Sequence, residues 1–320
     1  MANRQERQPS GQSLLLALLL ALCTAMGAVV VATAATSPAA QARFATPEEA
    51  VDALVSAARS GRTAVLARIL GPAGASLIRS GDAVADRSAR QRFVAAYDQH
   101  HRIELEGSAK AVLIVGAESW PMPIPLVHTA SGWQFDTAAG REEILDRRIG
   151  RNELAVIQVC RAYVEAQREY AQLKVHSGGS VEYAQHFMSR GSAHNGLYWP
   201  TGSGEPQSPL GPLVAQARAG GYSPGRGRGK PHPYYGYYFR ILTGQGANAP
   251  GGARSYLADG RMTRGFALLA YPAEYGNSGV MTFTVSQDGI VFEKNLGPQT
   301  AALAARIERY DPDGSWNPPP

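Results

Sequence analysis

Apolar and polar positions follow two periods along this chain, and the switches between them mark its organisation. Thr46-Pro47-Glu48-Glu49 sets a capping hydroxyl, a proline at the first helical position and a glutamate ahead of Ala50, Val51, Leu54, Val55 and Ala58 at helical spacing. Ser60-Gly61 ends that helix. A second helix is predicted through Ala64, Val65, Leu66, Ile69 and Leu70 to Gly71, and a third through Arg90, Phe93, Val94 and Tyr97. The period then falls to two. Ile103 with Leu105, Ala111 to Val115, Ile124 to Val127 and Trp133 to Phe135 read as strands, with Ser131-Gly132 as a turn. Helices followed by meandering strands predict an α+β unit with the helices on one sheet face.

Helical spacing returns from Arg141 to Leu173, where Leu154, Ile157, Cys160, Val164 and Ala171 share a stripe widened by Val156, Val159 and Tyr163. Gly150 is expected to divide this segment, leaving a well-buried helix after it. Cys160 falls among the apolar positions and reads as a small buried hydrophobe. Between His176 and Pro233 the periodicity fades into a stretch rich in Gly, Pro, Ser and Tyr, with a short helix predicted from Ser208-Pro209 through Val214 and Ala217. From Tyr234 the period is two again. The run PYYGYYFRIL is followed by Val280, Thr282, Thr284 and Ser286 alternating with Met281, Phe283 and Val285; Asp288-Gly289 turns the chain into Ile290, Phe292 and Lys294. The expected blocks are therefore 43–140 as an α+β domain, 141–175 as a long helix, 176–233 as an irregular region and 234–320 as an antiparallel sheet continuing from the helix.

The amino terminus adds an expected destination. Arg4 and Arg7 precede an apolar run from Leu14 to Val31, and Ala32-Thr33-Ala34 and Ala40-Gln41-Ala42 offer small-residue exits. Residues 1–42 read as a signal peptide cleaved after Ala42, with Ala34 as the alternative, and the protein as exported to the periplasm or beyond with no membrane span after processing. Removal takes away Arg4, Arg7 and Glu6, so a formal charge of +5 becomes +4, too weak for a nucleic-acid footprint. Of two cysteines, Cys23 leaves with the peptide; Cys160 alone makes no internal disulfide, and the fold must rest on core burial.

Motifs for chemistry fail on inspection. GRGRGKP, Gly225 to Pro231, has Pro224 and Pro231 where a phosphate loop needs glycine and a hydroxyl residue. His100, His101, His176, His186 and His194 lack metal-ligand spacing, Ser278 lies outside a nucleophile elbow, and Asp311-Pro312-Asp313-Gly314 is followed by no closing glutamate. No enzyme activity, cofactor or metal is expected. The candidate interaction surface combines aromatic residues Tyr198, Trp199, Tyr234, Tyr235, Tyr237 and Tyr238 with the basic residues Arg226, Arg228 and Lys230. Trp120, His128 and Trp133 are candidates for a glycan pocket, and Glu274 and Asp259 for the less favoured case of an envelope-polymer hydrolase.

The stretches NGLYWP, SPLGPLVAQA, PYYGYYFRILTGQGANAPGGA, GRMTRGFALLAYPAEYGNSGVMTFTVSQDGIVFEKNLG and YDPDGSW resemble an uncharacterised bacterial exported family, domain of unknown function 2950. Tyr235 stands where PYHGYY-like relatives carry histidine. The resemblance implies export and no established activity. The order of elements in the first block resembles cone-shaped nuclear-transport-factor-like domains. NELAVIQVCRAYVEAQREYA followed by GYYFRI, GFALLAYP, GVMTFTV and DGIVFEK is similar to the globular part of pseudopilins and pilins, although 141–153 is too polar for a bilayer-spanning stem. The function expected is an exported, noncatalytic structural or interaction protein of the cell envelope with an envelope protein partner, the alternative being a periplasmic glycan or small-molecule binder.

Overall fold

The computed structural model describes residues 40–174, 181–191, 193–223 and 232–320, and the architecture is mixed α+β. Helix α1 (Pro47–Arg59) starts where the hydroxyl of Thr46 accepts from the Glu49 N–H, while the Glu49 carboxylate reaches back to the Ala45 N–H. Its buried stripe of Ala50, Val51, Leu54, Val55 and Ala58 meets α2 (Thr63–Leu70), which ends at Gly71 with φ +69°. A 3-10 turn (Pro72–Gly74) and α3 (Ala75–Ile78) lead to α4 (Ala83–Gln99).

Five antiparallel strands follow: β1 (His101–Glu106), β2 (Lys110–Val115), β3 (Trp120–Pro121), β4 (Leu126–Thr129) and β5 (Gly132–Phe135). The sheet runs β1-β2-β4-β5, with β3 also on β2. Its inward residues Leu113, Leu126 and Phe135 join α1 and α2 in one hydrophobic cluster. The strand expected from Ile124 to Val127 is β4, which begins at Leu126, after Pro125, with Ile124 buried just ahead of it. Residues before α1 belong to this unit as well. Phe44 and Trp133 exchange backbone hydrogen bonds, and the Gln41 side-chain amide donates to Ile69 O at 3.0 Å and Phe135 O at 2.7 Å.

Helix α5 (Thr137–Leu173) corrects the expected division at Gly150. It is capped by Asp136 and runs 37 residues without interruption. A single glycine costs a helix about 1 kcal/mol relative to alanine, and packing on either side outweighs it. Gly140 lies against the backbone of Pro123, where a Cβ would come within 2.3 Å of the carbonyl oxygen, and Ile144 packs on the first cluster. Beyond Gly150, Val156, Cys160, Tyr163, Val164 and Tyr170 enter a second cluster. The helix thus belongs to both cores, and Ala40–Pro320 forms one compact unit.

The second core is built on β6 (Tyr237–Leu242), β11 (Ala267–Pro272), β12 (Met281–Ser286) and β13 (Val291–Asn295), all antiparallel in the order β13-β12-β11-β6. Two small ribbons intervene, β7 (Gly244–Gln245) with β8 (Arg254–Ser255) and β9 (Leu257–Ala258) with β10 (Arg261–Met262). PYYGYYF therefore supplies the terminal strand. The hairpin at Asp288-Gly289 pairs Val285 with Val291 and Thr282 with Lys294. Thr282, Phe283, Thr284, Val285 and Ser286 are all buried. Both faces are covered because α5 packs on the sheet and α7 (Thr300–Arg306) contacts β11; the Thr284 hydroxyl donates to Leu268 O inside the sheet.

Short helix α6 (Gly211–Ala219) follows the irregular stretch after α5. That stretch is tied down by Gln167, whose side chain exchanges hydrogen bonds with the Ala184 backbone at 2.8 Å in both directions. Cys160 is fully buried and desolvation pushes its thiol up to about 12, so it packs as a neutral side chain. Among the described residues, no helix is long and apolar enough to cross a membrane.

Candidate functional site

The first and second cores meet at a polar junction around the loop before α4. Asp82 caps α4, its Oδ1 accepting from the Val84 and Ala85 N–H groups at 3.1 and 3.0 Å. Its Oδ2 accepts from the Tyr222 hydroxyl at 2.8 Å and the Gly236 N–H at 3.0 Å. One buried carboxylate thereby joins α4, the end of α6 and the start of β6. Gly236 has φ +73°, and an added Cβ would lie 2.8 Å from Asn152 Nδ2 and Ser278 Cβ.

Arg148 of α5 crosses the same seam. Its guanidinium donates to Ser76 O and Leu77 O at 2.8 Å each and to Asn277 Oδ1. Asn277 in turn donates to Arg79 O and to the Glu274 carboxylate. Burial pulls the Arg148 pKa down, an effect the Asp86 and Glu274 charges oppose. Asp86 is shifted up by burial, against the two hydrogen bonds it accepts from Ser80. A turn further on, Glu153 Oε1 accepts from the Val280 and Met281 N–H groups at 2.8 and 2.9 Å and from the Tyr237 hydroxyl at 3.3 Å. Burial, then the Glu153 charge, raises the Tyr237 hydroxyl well above its ordinary value.

On the outer side of Asp82 opens a cleft of about 1110 Å³. One wall is the start of α4, from Gly81 to Arg87; the opposite wall is the end of α6, with Arg218 and Tyr222; Tyr198, Ser189 and His232 complete it. The Arg218 guanidinium sits over the Tyr198 ring, 5.5 Å from its centroid. Arg87, Arg218 and His232 are exposed, whereas Tyr198 is buried by its own packing.

The aromatic candidates separate into different environments. Tyr198 reaches the cleft, and Trp199 stacks on His194 at 4.5 Å. Tyr234 and Tyr235 cluster with Tyr222 at 4.9 and 6.3 Å, Tyr235 holding φ +50°. Tyr237 is completely buried, so its ring serves the core and Glu153. Tyr238 lies near Tyr271, and with Tyr234 lines a smaller apolar recess of about 270 Å³. Arg226, Arg228 and Lys230 lie outside the described residues, as does His176.

Trp133 is buried in the first core beside His128, and Trp120 lies half-buried under Arg147. Glu274 is held by Asn277, while Asp259 occupies the turn between β9 and β10 with φ +50°. Among the described residues, no group of three or more His, Cys, Asp and Glu side chains is placed to hold a metal ion. Sequence reasoning missed Asp82, Arg148, Arg87, Arg218 and Tyr222. Only Asp82 had a local signal, an aspartate after glycine at a helix start.

A family model described as protein of unknown function (DUF2950) matches residues 41–318. No curated protein matches the chain, and no solved structure does.

Proposed function

From the premise that the chain belongs to this family of proteins of unknown function, we propose that it is an exported, noncatalytic binding protein of the cell envelope that holds a glycan or other small ligand in the cleft between α4 and α6. The observation carrying this reading is the cleft itself. Its size suits a ligand of several rings, and Arg218 stacked on Tyr198 presents a guanidinium fixed by an aromatic face. The one carboxylate among its described lining residues, Asp82, already accepts four hydrogen bonds, which leaves little capacity for acid or base work. No hydrogen bond among the described residues orients His232, the imidazole of the lining. Binding without turnover is what such a set of groups supports.

The test is a thermal-shift and calorimetric screen of the purified protein against envelope oligosaccharides, with mass spectrometry of each ligand afterwards. At least one oligosaccharide should raise the melting temperature and be recovered intact. Recovery of cleaved ligand, or no binding by any member of the panel, would overturn the reading.

Export is part of the same proposal, with processing after Ala34 in place of Ala42. Cleavage after Ala42 would remove Gln41 and leave Ile69 O and Phe135 O without the side-chain amide that joins them. Mass spectrometry of the exported protein is expected to find Ala35 at its amino terminus; a chain starting at Arg43 would refute this.

A second reading, assembly with an envelope protein, is favoured by the position of β6 at the end of its sheet, where Tyr238 to Ile241 are half-buried. The pilin-like description belongs to this reading and rests on α5 crossing a four-stranded antiparallel sheet.

A further inference from the structure

The charge balance of the cleft narrows the class of ligand, an inference that rests on the binding role proposed above. Two arginines face the space from opposite walls, Arg87 from α4 and Arg218 from α6, and His232 stands at its rim. Among the described residues, neither arginine has a carboxylate partner. Among the described residues the Arg218 guanidinium lies on the Tyr198 face, and the Arg87 side chain makes no hydrogen bond or ion pair. The nearby acids are already engaged. Asp82 is saturated by Val84, Ala85, Tyr222 and Gly236, and Asp86 is turned into the junction by Ser80.

The exposed end of α4 supplies no competing anion site, because Asp82 already caps its first N–H groups. The positive character therefore resides in two side chains whose planar forks match carboxylate and phosphate oxygens. Among the described residues some surface arginines are matched by acids, as in Arg59 with Asp98 at 2.7 Å and Arg168 with Glu165 at 2.7 Å, and others, Arg161 among them, are not. The cleft is set apart because two unpaired arginines there share one concave space with an aromatic face.

We propose that the cleft selects an anionic saccharide, its carboxylate or phosphate bridged between Arg87 and Arg218 and a sugar ring set against the tyrosines of the walls. Tyr198 contributes its edge, since Arg218 covers its face, and Tyr222 is held in place by its bond to Asp82.

The experiment is calorimetry of the intact protein with two matched pairs: tetragalacturonate against its full methyl ester, and a mannose tetramer with a terminal phosphate against the same tetramer without it. The acidic member of at least one pair is expected to bind about tenfold or more tighter, with an affinity that falls as salt rises. Which pair responds identifies carboxylate or phosphate as the source. Arg87→Gln and Arg218→Gln should each weaken that binding by about tenfold, while leaving the melting temperature unchanged, and Arg161→Gln, an exposed site on α5, should have no effect. Equal affinities within both pairs would overturn the anionic selection and leave the binding role standing. If no acidic probe binds while a neutral envelope oligosaccharide does, the selection also fails. Absence of binding by these probes and by the whole oligosaccharide panel would remove both proposals together.

Discussion

Arg148→Ala is expected to destabilise the protein by about 3–5 kcal/mol, the range for breaking a buried charged network. The substitution removes the donors to Ser76 O, Leu77 O and Asn277 Oδ1 at once, and removes a positive charge that interacts with Asp86 and Glu274. Those carbonyls belong to α3, whereas Asn277 belongs to the turn between β11 and β12. The loss therefore falls on the connection between the two cores. Urea denaturation followed by circular dichroism measures it. Arg148→Lys should recover only part of the stability, because one ammonium cannot reproduce a planar fork reaching three acceptors. A change below about 0.5 kcal/mol, the level of ordinary surface substitutions, would show that the seam does not depend on this side chain. Separate unfolding transitions for the two halves in Arg148→Ala would identify it as the element that couples them.

Asp82→Ala is expected to cost about 2–4 kcal/mol, from the loss of a helix cap and of two tertiary hydrogen bonds to a charged acceptor. The cap is local, to Val84 and Ala85; the other two bonds reach Tyr222 and Gly236, far along the chain. Asp82→Asn separates the parts. An amide oxygen can still cap α4, but the amide nitrogen is a donor and accepts from neither the Tyr222 hydroxyl nor the Gly236 N–H. Asn should restore the helix-start protection seen by hydrogen exchange at Val84 and Ala85 and leave Gly236 unprotected. Equal protection of Gly236 in both variants and the parent would count against a tertiary role for Asp82.

The features legible in the chain were those made by neighbours in sequence. Thr46 to Glu49 foretold α1 because a cap is completed within four residues, and Asp288-Gly289 marked the last hairpin, although its register is not that of a two-residue turn: the Gly289 N–H closes the turn on Ser286 O, and Val285 pairs with Val291. Helix α5 was legible in its second half but not in its continuity through Gly150. The glycine is a local signal against helix, and the opposing packing comes from Pro123, Ser76 and Leu77 on one side and from the second sheet on the other. The cleft was less legible still. Tyr198 carried an aromatic signal, but Arg87 and Arg218 are 131 positions apart and each resembles an ordinary solvated helix charge until the walls are brought face to face.

The sequence by itself determined the mixed α+β character, the caps and turns of individual elements, the core position of Cys160 and the family. Each of these depends on local hydrogen bonding, on periodic burial or on a linear pattern of residues. Only the tertiary structure decided that one helix serves two cores, that PYYGYYF ends a sheet and sends Tyr237 inward, and that Asp82 and Arg148 form the seam beside a cationic cleft. Those outcomes depend on partners distant along the chain, and a side chain's solvation and free hydrogen-bonding capacity are set by what packs against it.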